Sequence, residues 1–532
     1  MQTPTSLSRR SFLQRLGALP LAAVALGSRQ ASAESTLGGR RFHACLSGKA
    51  IAANPELLEV VSRAGVTDIW QPAFFYGHWY ASPDELRASR SVVEDAGLHW
   101  HLINLPLGHP GDSLGDSTGA TPLTPPGRWH LAQRLDGTLY SGTSLHDPAT
   151  QENVAALQAL APLAPDMIFL DDDFRLATGP GVIGGCYCPE HRARFLDTHG
   201  HGNAQWDALL ADVHDRRLTP LLRQWVEFNC DELTACFRAQ QAAIPHAALG
   251  NMIMYMGAEK AGIRLADYAA APFRVGELMF DDNSFSPVKG KTDELFSALF
   301  HRRFARRDLA YSETTAYPHD RLSSRNIAAK LAISTLADVP NTMFMSGLEP
   351  FPIAHWDTLA PAMREQTRIH ALIAGHRPQG PLKHFWGEAG RYTGDDRPFS
   401  LFLALGIPFE VANTMPDSGI VFLGDQDAQH EPATASGAIR IARPSAAATP
   451  PGGRPLDETL EALWPLKREL IAGEPNFPHI VEDSPAVCAW YPSANAALVW
   501  NLSETPADLT LRHRDQSIKV ALAPLALKHL PL

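Results

Sequence analysis

The sequence predicts an α/β chain: a closed (β/α)8 TIM barrel, then a small flavodoxin-like α/β domain, then a C-terminal β-sandwich-like domain. Three observations carry this. Between residues 41 and 376, eight short β-rich apolar runs alternate with helical stretches. No Gly-x-Gly-x-x-Gly follows the first run and no phosphate-loop motif occurs, which places a doubly wound nucleotide-binding sheet second. After about residue 377 the texture changes to shorter, mixed elements.

In chain order, Ser8-Arg9-Arg10-Ser11-Phe12-Leu13, the apolar stretch from Leu16 to Leu26 and Ala31-Ser32-Ala33 read as a twin-arginine (Tat) signal over residues 1–33. That predicts export to the periplasm, with release outside the cell open. The apolar stretch falls short of the ~20 residues a bilayer span requires, and no later segment is apolar for long enough. The barrel, residues 36–376, takes its strands from Phe42–Leu46, Thr67–Phe75, Leu98–Leu105, Asp166–Asp171, Leu249–Tyr255, Val275–Asp281, Leu309–Thr314 and Asn341–Ser346. Pro55–Ala64, Pro83–Ala96, Gln151–Leu163, Pro220–Ala242 and Ser323–Ala337 read as helices between them. Residues 106–147 form a long Gly/Pro-rich insertion after the third strand, on the face where barrels of this kind place their sites. In the second domain, 377–475, Phe399–Leu405 and Leu456–Ala472 read as helices, Gly419–Gly424 as a buried strand and 432–455 as a loop. In the third, 476–532, strands are expected at Ala486–Tyr491, Ala496–Asn501, Ala507–Arg512 and Ile518–Leu522.

Composition narrows the function classes. A chain of 532 residues with 45% hydrophobic content has room for two or three cores. Its net charge of -11 gives no attraction to a phosphate backbone, so nucleic acid is excluded as the expected partner. Six cysteines are too sparse for a disulfide scaffold. No motif calls for an organic cofactor.

Carboxylates gather at strand ends. The fourth strand ends in Asp171-Asp172-Asp173 followed by Phe174-Arg175, the sixth in Asp281-Asp282, the seventh carries Glu313, and the eighth leads to Glu349. Acids beside a buried strand are costly unless they are paired or face a cleft. Cleavage of a glycosidic bond needs two carboxyl groups, one protonated to help the leaving group and one ionised to attack the sugar or activate water. Acids from strands four and seven would face each other across the barrel mouth. The candidate catalytic residues are therefore Asp172, Glu313, Asp171 and Asp173. Alternation puts Asp171 and Asp173 on one side of the strand and Asp172 on the other, and which side faces the cleft stays open. Aromatic and polar residues near the same ends suit a sugar's mixed surface. Trp70, Tyr76, Asn104, Arg175, Asp281, Tyr317 and Glu349 are the candidate substrate contacts, with core packing or helix capping as the alternative role.

The segment Gly185-Cys186-Tyr187-Cys188-Pro189-Glu190-His191 places three metal-ligand side chains in one loop, and His146 in Ser144-Leu145-His146-Asp147-Pro148 is a candidate fourth. Cys186, Cys188, His191 and His146 would make a structural zinc site with no open position. The alternative is two buried thiols and a surface histidine.

These residues resemble the β-galactosidases of glycoside hydrolase family 42, clan A. Cys186 to Phe195 is similar to that family's cysteine cluster after strand four, with histidine at positions 191 and 146 where the family has cysteines. Glu313 is similar to the family's nucleophile, and Gly406-Ile407-Pro408-Phe409 resembles a helix-to-strand turn of its trimerisation domain. The family's acid/base is a glutamate after an asparagine, where this chain has Asp171-Asp172-Asp173. The resemblance implies a carbohydrate substrate, a glycosidase and a homo-trimer. Two rivals follow from the residues themselves: a carbohydrate-binding barrel without catalysis, and a metal-dependent hydrolase or lyase.

Overall fold

Eight parallel strands close on themselves. They are β1 (Arg41–Cys45), β2 (Asp68–Phe75), β3 (His99–Leu105), β4 (Met167–Leu170), β5 (Ala248–Met254), β6 (Phe273–Gly276), β7 (Ala310–Thr315) and β8 (Asn341–Met345). Each pairs in parallel with the next, and β1 pairs with both β2 and β8. This is a TIM barrel. The computed structural model describes residues 39–108, 125–143, 145–171, 174–430, 437–444, 453–473 and 475–532. The expected export signal over 1–33 and the candidate acids Asp172 and Asp173 lie outside the described residues.

Alternation along each strand separates two cores. Cys45, Trp70, Ile103, Phe169, Tyr311 and Met343 cluster inside the barrel. The intervening Ala44, Ile69, Leu102, Ile168 and Leu170 belong to the larger core between strands and helices. Gly250 on β5 makes room for this interior, because a Cβ there would stand 2.4 Å from the Phe169 ring. The helices start where the sequence places caps. Ser82 and Glu85 form a reciprocal capping box with Pro83 behind it, and Thr219 and Ser323 cap Pro220–Ala243 and Ser324–Leu336.

The sixth strand departs from expectation. It spans Phe273–Gly276, not Val275–Asp281. Asp281 instead caps the short helix Asp282–Phe285, accepting the Ser284 amide at 2.9 Å. The charged Arg274 hides this strand in the sequence, since it interrupts the apolar run. Beyond Gly276, Glu277 turns outward to the helix layer. There Lys330 lies 2.9 Å from both Glu277 and Glu294, all three buried.

The second sheet is parallel: β9 (Leu382–Phe385), β10 (Phe409–Ala412), β11 (Ile420–Leu423), β12 (Ile439–Ala442) and β13 (Arg454–Pro455). Its spatial order is β10-β9-β11-β12-β13, the 2-1-3-4-5 order of flavodoxin-like folds. Strand β12 lies in the stretch expected to be loop, because its four residues are embedded in Pro-, Ala- and Gly-rich sequence. The chain ends in two three-stranded antiparallel sheets, built from β14 (His479–Ile480), β15 (Ala486–Tyr491), β16 (Ala496–Asn501), β17 (Ala507–His513), β18 (Gln516–Leu522) and β19 (Leu527–Pro531). Among the described residues, no helix is long and apolar enough to cross a membrane.

Candidate active site

Two of the predicted acids meet inside the barrel. Asp171 follows β4 two residues after the inward-facing Phe169, and Glu313 follows Tyr311 in the same way on β7. Both are buried, and both pair with the guanidinium of Arg274 on β6. Asp171 pairs with Nη2, and Glu313 Oε2 lies 3.0 Å from Nε. Arg274 is wholly buried and stacks over the Phe169 ring at 4.9 Å. Burial alone would lower its pKa, but facing Asp171 and Glu313 raises it above the ordinary value. The Thr315 hydroxyl donates to Glu313 Oε1 at 2.6 Å and fixes the second carboxylate oxygen. Cys45, at the end of β1, faces the same group, and burial pushes its thiol pKa up. Sequence reading missed Arg274 and Thr315. The signal for Arg274 was present: a charged residue inside a barrel strand demands a buried counter-charge, and the strand-end acids supply it.

The expected substrate contacts divide. Tyr317 is exposed beyond β7, and Glu349, beyond β8, pairs with His319 at 2.5 Å. Trp70 lies deep inside the barrel, packed on Phe169 at 4.7 Å. Asn104 is buried, and its Oδ1 accepts the Phe74 amide at 3.2 Å where β2 shifts register against β3. Tyr76 is buried against Phe75 and Trp129 with a left-handed φ of 32°. Arg175 is buried and donates through Nε to the Ala177 carbonyl at 3.1 Å. Asp281 is the helix cap described above.

The cysteine–histidine residues converge on the loop before helix Pro189–His199. Cys188 Sγ lies 3.3 Å from His146 Nε2 and 3.3 Å from His191 Nδ1. Ligand atoms of these three residues all lie within 4.8 Å of one another, and Cys186 shares a hydrogen bond with Cys188. The second nitrogen of each imidazole meets a carboxylate, His191 with Glu232 at 3.0 Å and His146 with Glu190 at 3.1 Å. Zinc fits this donor set. The 3.3 Å spacings suit corners of a tetrahedron with arms of about 2.0–2.3 Å, and the carboxylates orient the rings as outer-shell partners do. Cys186 also accepts the Gln133 amide at 3.3 Å, which joins the cluster to the hairpin of Leu131–Gln133 and Leu139–Thr143 in the insertion.

A second group, His43, Asp68 and His101, could also hold a metal by proximity. It lies toward the N-terminal ends of β1, β2 and β3, away from Asp171 and Glu313. Its atoms are engaged: Asp68 binds Arg41 at 3.1 Å and His101 at 2.8 Å, and the Trp70 indole donates to His43 Nδ1 at 3.1 Å.

Together, a closed barrel with a carboxylate pair, a flavodoxin-like sheet and terminal antiparallel sheets define a multidomain TIM-barrel protein. Solved β-galactosidases share this plan. The enzyme from Rahnella sp. R3 aligns over 93% of this chain and 98% of its own, with a TM-score of 0.57 and 12% identity. That from Marinomonas ef1 aligns over 92% and 99%, with a TM-score of 0.57 and 10% identity. That from Halorubrum lacusprofundi aligns over 92% and 99%, with a TM-score of 0.59 and 12% identity. The chain is thus their remote relative in fold. Neither a protein-family model nor a curated protein matches its sequence.

Proposed function

We propose that the chain is a glycoside hydrolase working through a carboxylate pair at the barrel mouth. The observation that carries this is the meeting of Asp171 and Glu313, from β4 and β7, on one guanidinium. Glu313, placed beside the Arg274 guanidinium and accepting the Thr315 hydroxyl, attacks the anomeric carbon. An acid of the Asp171–Asp173 run protonates the leaving oxygen, and water then releases the sugar. Sharing one guanidinium keeps the two carboxylates close, which suits the ~5–5.5 Å spacing of a retaining pair. The β-galactosidase neighbours make an aryl β-galactoside the first substrate to try. Zinc held by His146, Cys186, Cys188 and His191 would supply no open coordination position and would cross-link the insertion to the helix after β4.

The test is hydrolysis of a panel of aryl glycosides by the wild type, Asp171→Asn, Asp172→Asn and Glu313→Gln. We expect one sugar to be released, with kcat falling on the order of 10⁴-fold or more in Glu313→Gln and about 10²–10⁴-fold in the acid's variant. A second reading, a carbohydrate-binding barrel without turnover, is favoured by Arg274 occupying both acids. Oligosaccharide binding with no release from any member of the panel would establish it in place of the first.

A further inference from the structure

The charge count around Arg274 leads beyond the pair itself. Three ionisable groups, Asp171, Arg274 and Glu313, meet in the barrel interior, and each is almost completely buried. Cys45, from β1, and Glu277, behind β6, are titratable groups that also face them. Lys330 lies against Glu277, and Arg274 is a cation that touches both Asp171 and Glu313. Two carboxylates this close, without a cation between them, would repel and share one proton.

We propose that Arg274 is a positioning residue that sets the charge state and aim of the Asp171–Glu313 pair. Its Nε lies 3.0 Å from one Glu313 oxygen while the Thr315 hydroxyl donates to the other, so both ends of the carboxylate are positioned. Its Nη2 holds Asp171 on the same planar fork. This assignment rests on the glycosidase reading for its catalytic consequence, but not for its electrostatic one.

Two measurements separate those parts. The first needs no substrate: the thermal midpoint between pH 4 and pH 8 for the wild type, Arg274→Met, Asp171→Asn and the double variant. Without the guanidinium the folded state holds protons on its carboxylates more tightly than the unfolded chain does. Arg274→Met should therefore gain stability relative to the wild type as pH falls. Asp171→Asn should destabilise the wild type, yet stabilise the Arg274→Met background. Parallel pH curves, and the same effect of Asp171→Asn in both backgrounds, would overturn the proposal. If Arg274→Met does not fold, recovery of a folded protein by adding Asp171→Asn supports the charge coupling. Failure to recover, with Arg274→Lys unfolded as well, counts against it.

The second measurement is the pH profile of kcat/KM on the sugar found above. Arg274→Met should move the acid limb up by about 1–3 pH units, and Arg274→Lys should return it part of the way. An unmoved limb with lowered stability would make Arg274 purely structural. A wild type that turns over no glycoside would sink the glycosidase reading, while the stability comparison still decides the role of Arg274.

Discussion

Asp68 sits wholly buried at the start of β2, an unusual place for a carboxylate. Burial pushes its pKa up, yet His43, the hydrogen bond from His101 and the Arg41 guanidinium together hold it well below the usual carboxylate range. Because the folded value is depressed, its contribution to stability is present above the ordinary carboxylate pKa and is lost as pH falls below about 4. Asp68→Asn should therefore cost about 3–5 kcal/mol at neutral pH, seen as a lower melting temperature, with the gap to the wild type narrowing in acid. An equal gap at all pH values would show that the charge has no part in it. The residue scale is also where sequence reading was most limited. Asp171, Glu313, His146, Cys188 and His191 were visible because their types are rare in such places. Of the partners that hold them, Arg274, Glu232 and Glu190 come from other elements, while Thr315 lies two residues beyond Glu313 on β7.

Among the elements, seven of the eight barrel strands were readable because short stretches rich in aromatic, β-branched and other apolar residues alternate with helical stretches. The sixth was read too late, since Arg274 breaks its run and the Asp281 cap resembles a strand end. Strands β14 and β19 were not anticipated. The first has two residues, and Leu527–Pro531 carries lysine and histidine between its apolar positions. The hairpin of the insertion was unpredicted too, and its anchor is the cysteine–histidine cluster. Elemental analysis of the purified protein should find about one zinc per chain, the count that four ligands satisfy. Cys188→Ser should lower that content and open the hairpin to proteolysis near the exposed Leu139. A metal-free protein with a protected hairpin would refute the zinc assignment.

Over the whole molecule, buried and partly buried polar contacts join the barrel to the two domains that follow it. Lys260 pairs with Asp396 at 2.5 Å, Arg391 with Glu259 and Tyr392 with Glu227, and the Tyr491 hydroxyl donates to the Leu336 carbonyl at 2.8 Å. The order of the parts was legible from texture and element sequence. These joints were not, because each pairs residues more than a hundred positions apart. The buried set behind β6 has a thermodynamic consequence of its own. Burial, and then the mutual repulsion of two carboxyls around the single ammonium of Lys330, raise Glu277 well above its ordinary value, and burial also raises Glu294. Unfolded, both acids are ionised at neutral pH. Folded, the pair binds a hydrogen ion more tightly than the same two acids do in the unfolded chain. Refolding should therefore draw hydrogen ions from the medium through this set once pH falls into the range where the folded pair titrates, measurable as a refolding heat that varies with the ionisation enthalpy of the buffer. Replacing Glu277 with Gln should abolish that share. Because the folded values are raised, the contribution of this set to stability falls as pH rises through them, so alkali acts on the fold from its interior as well as from its surface.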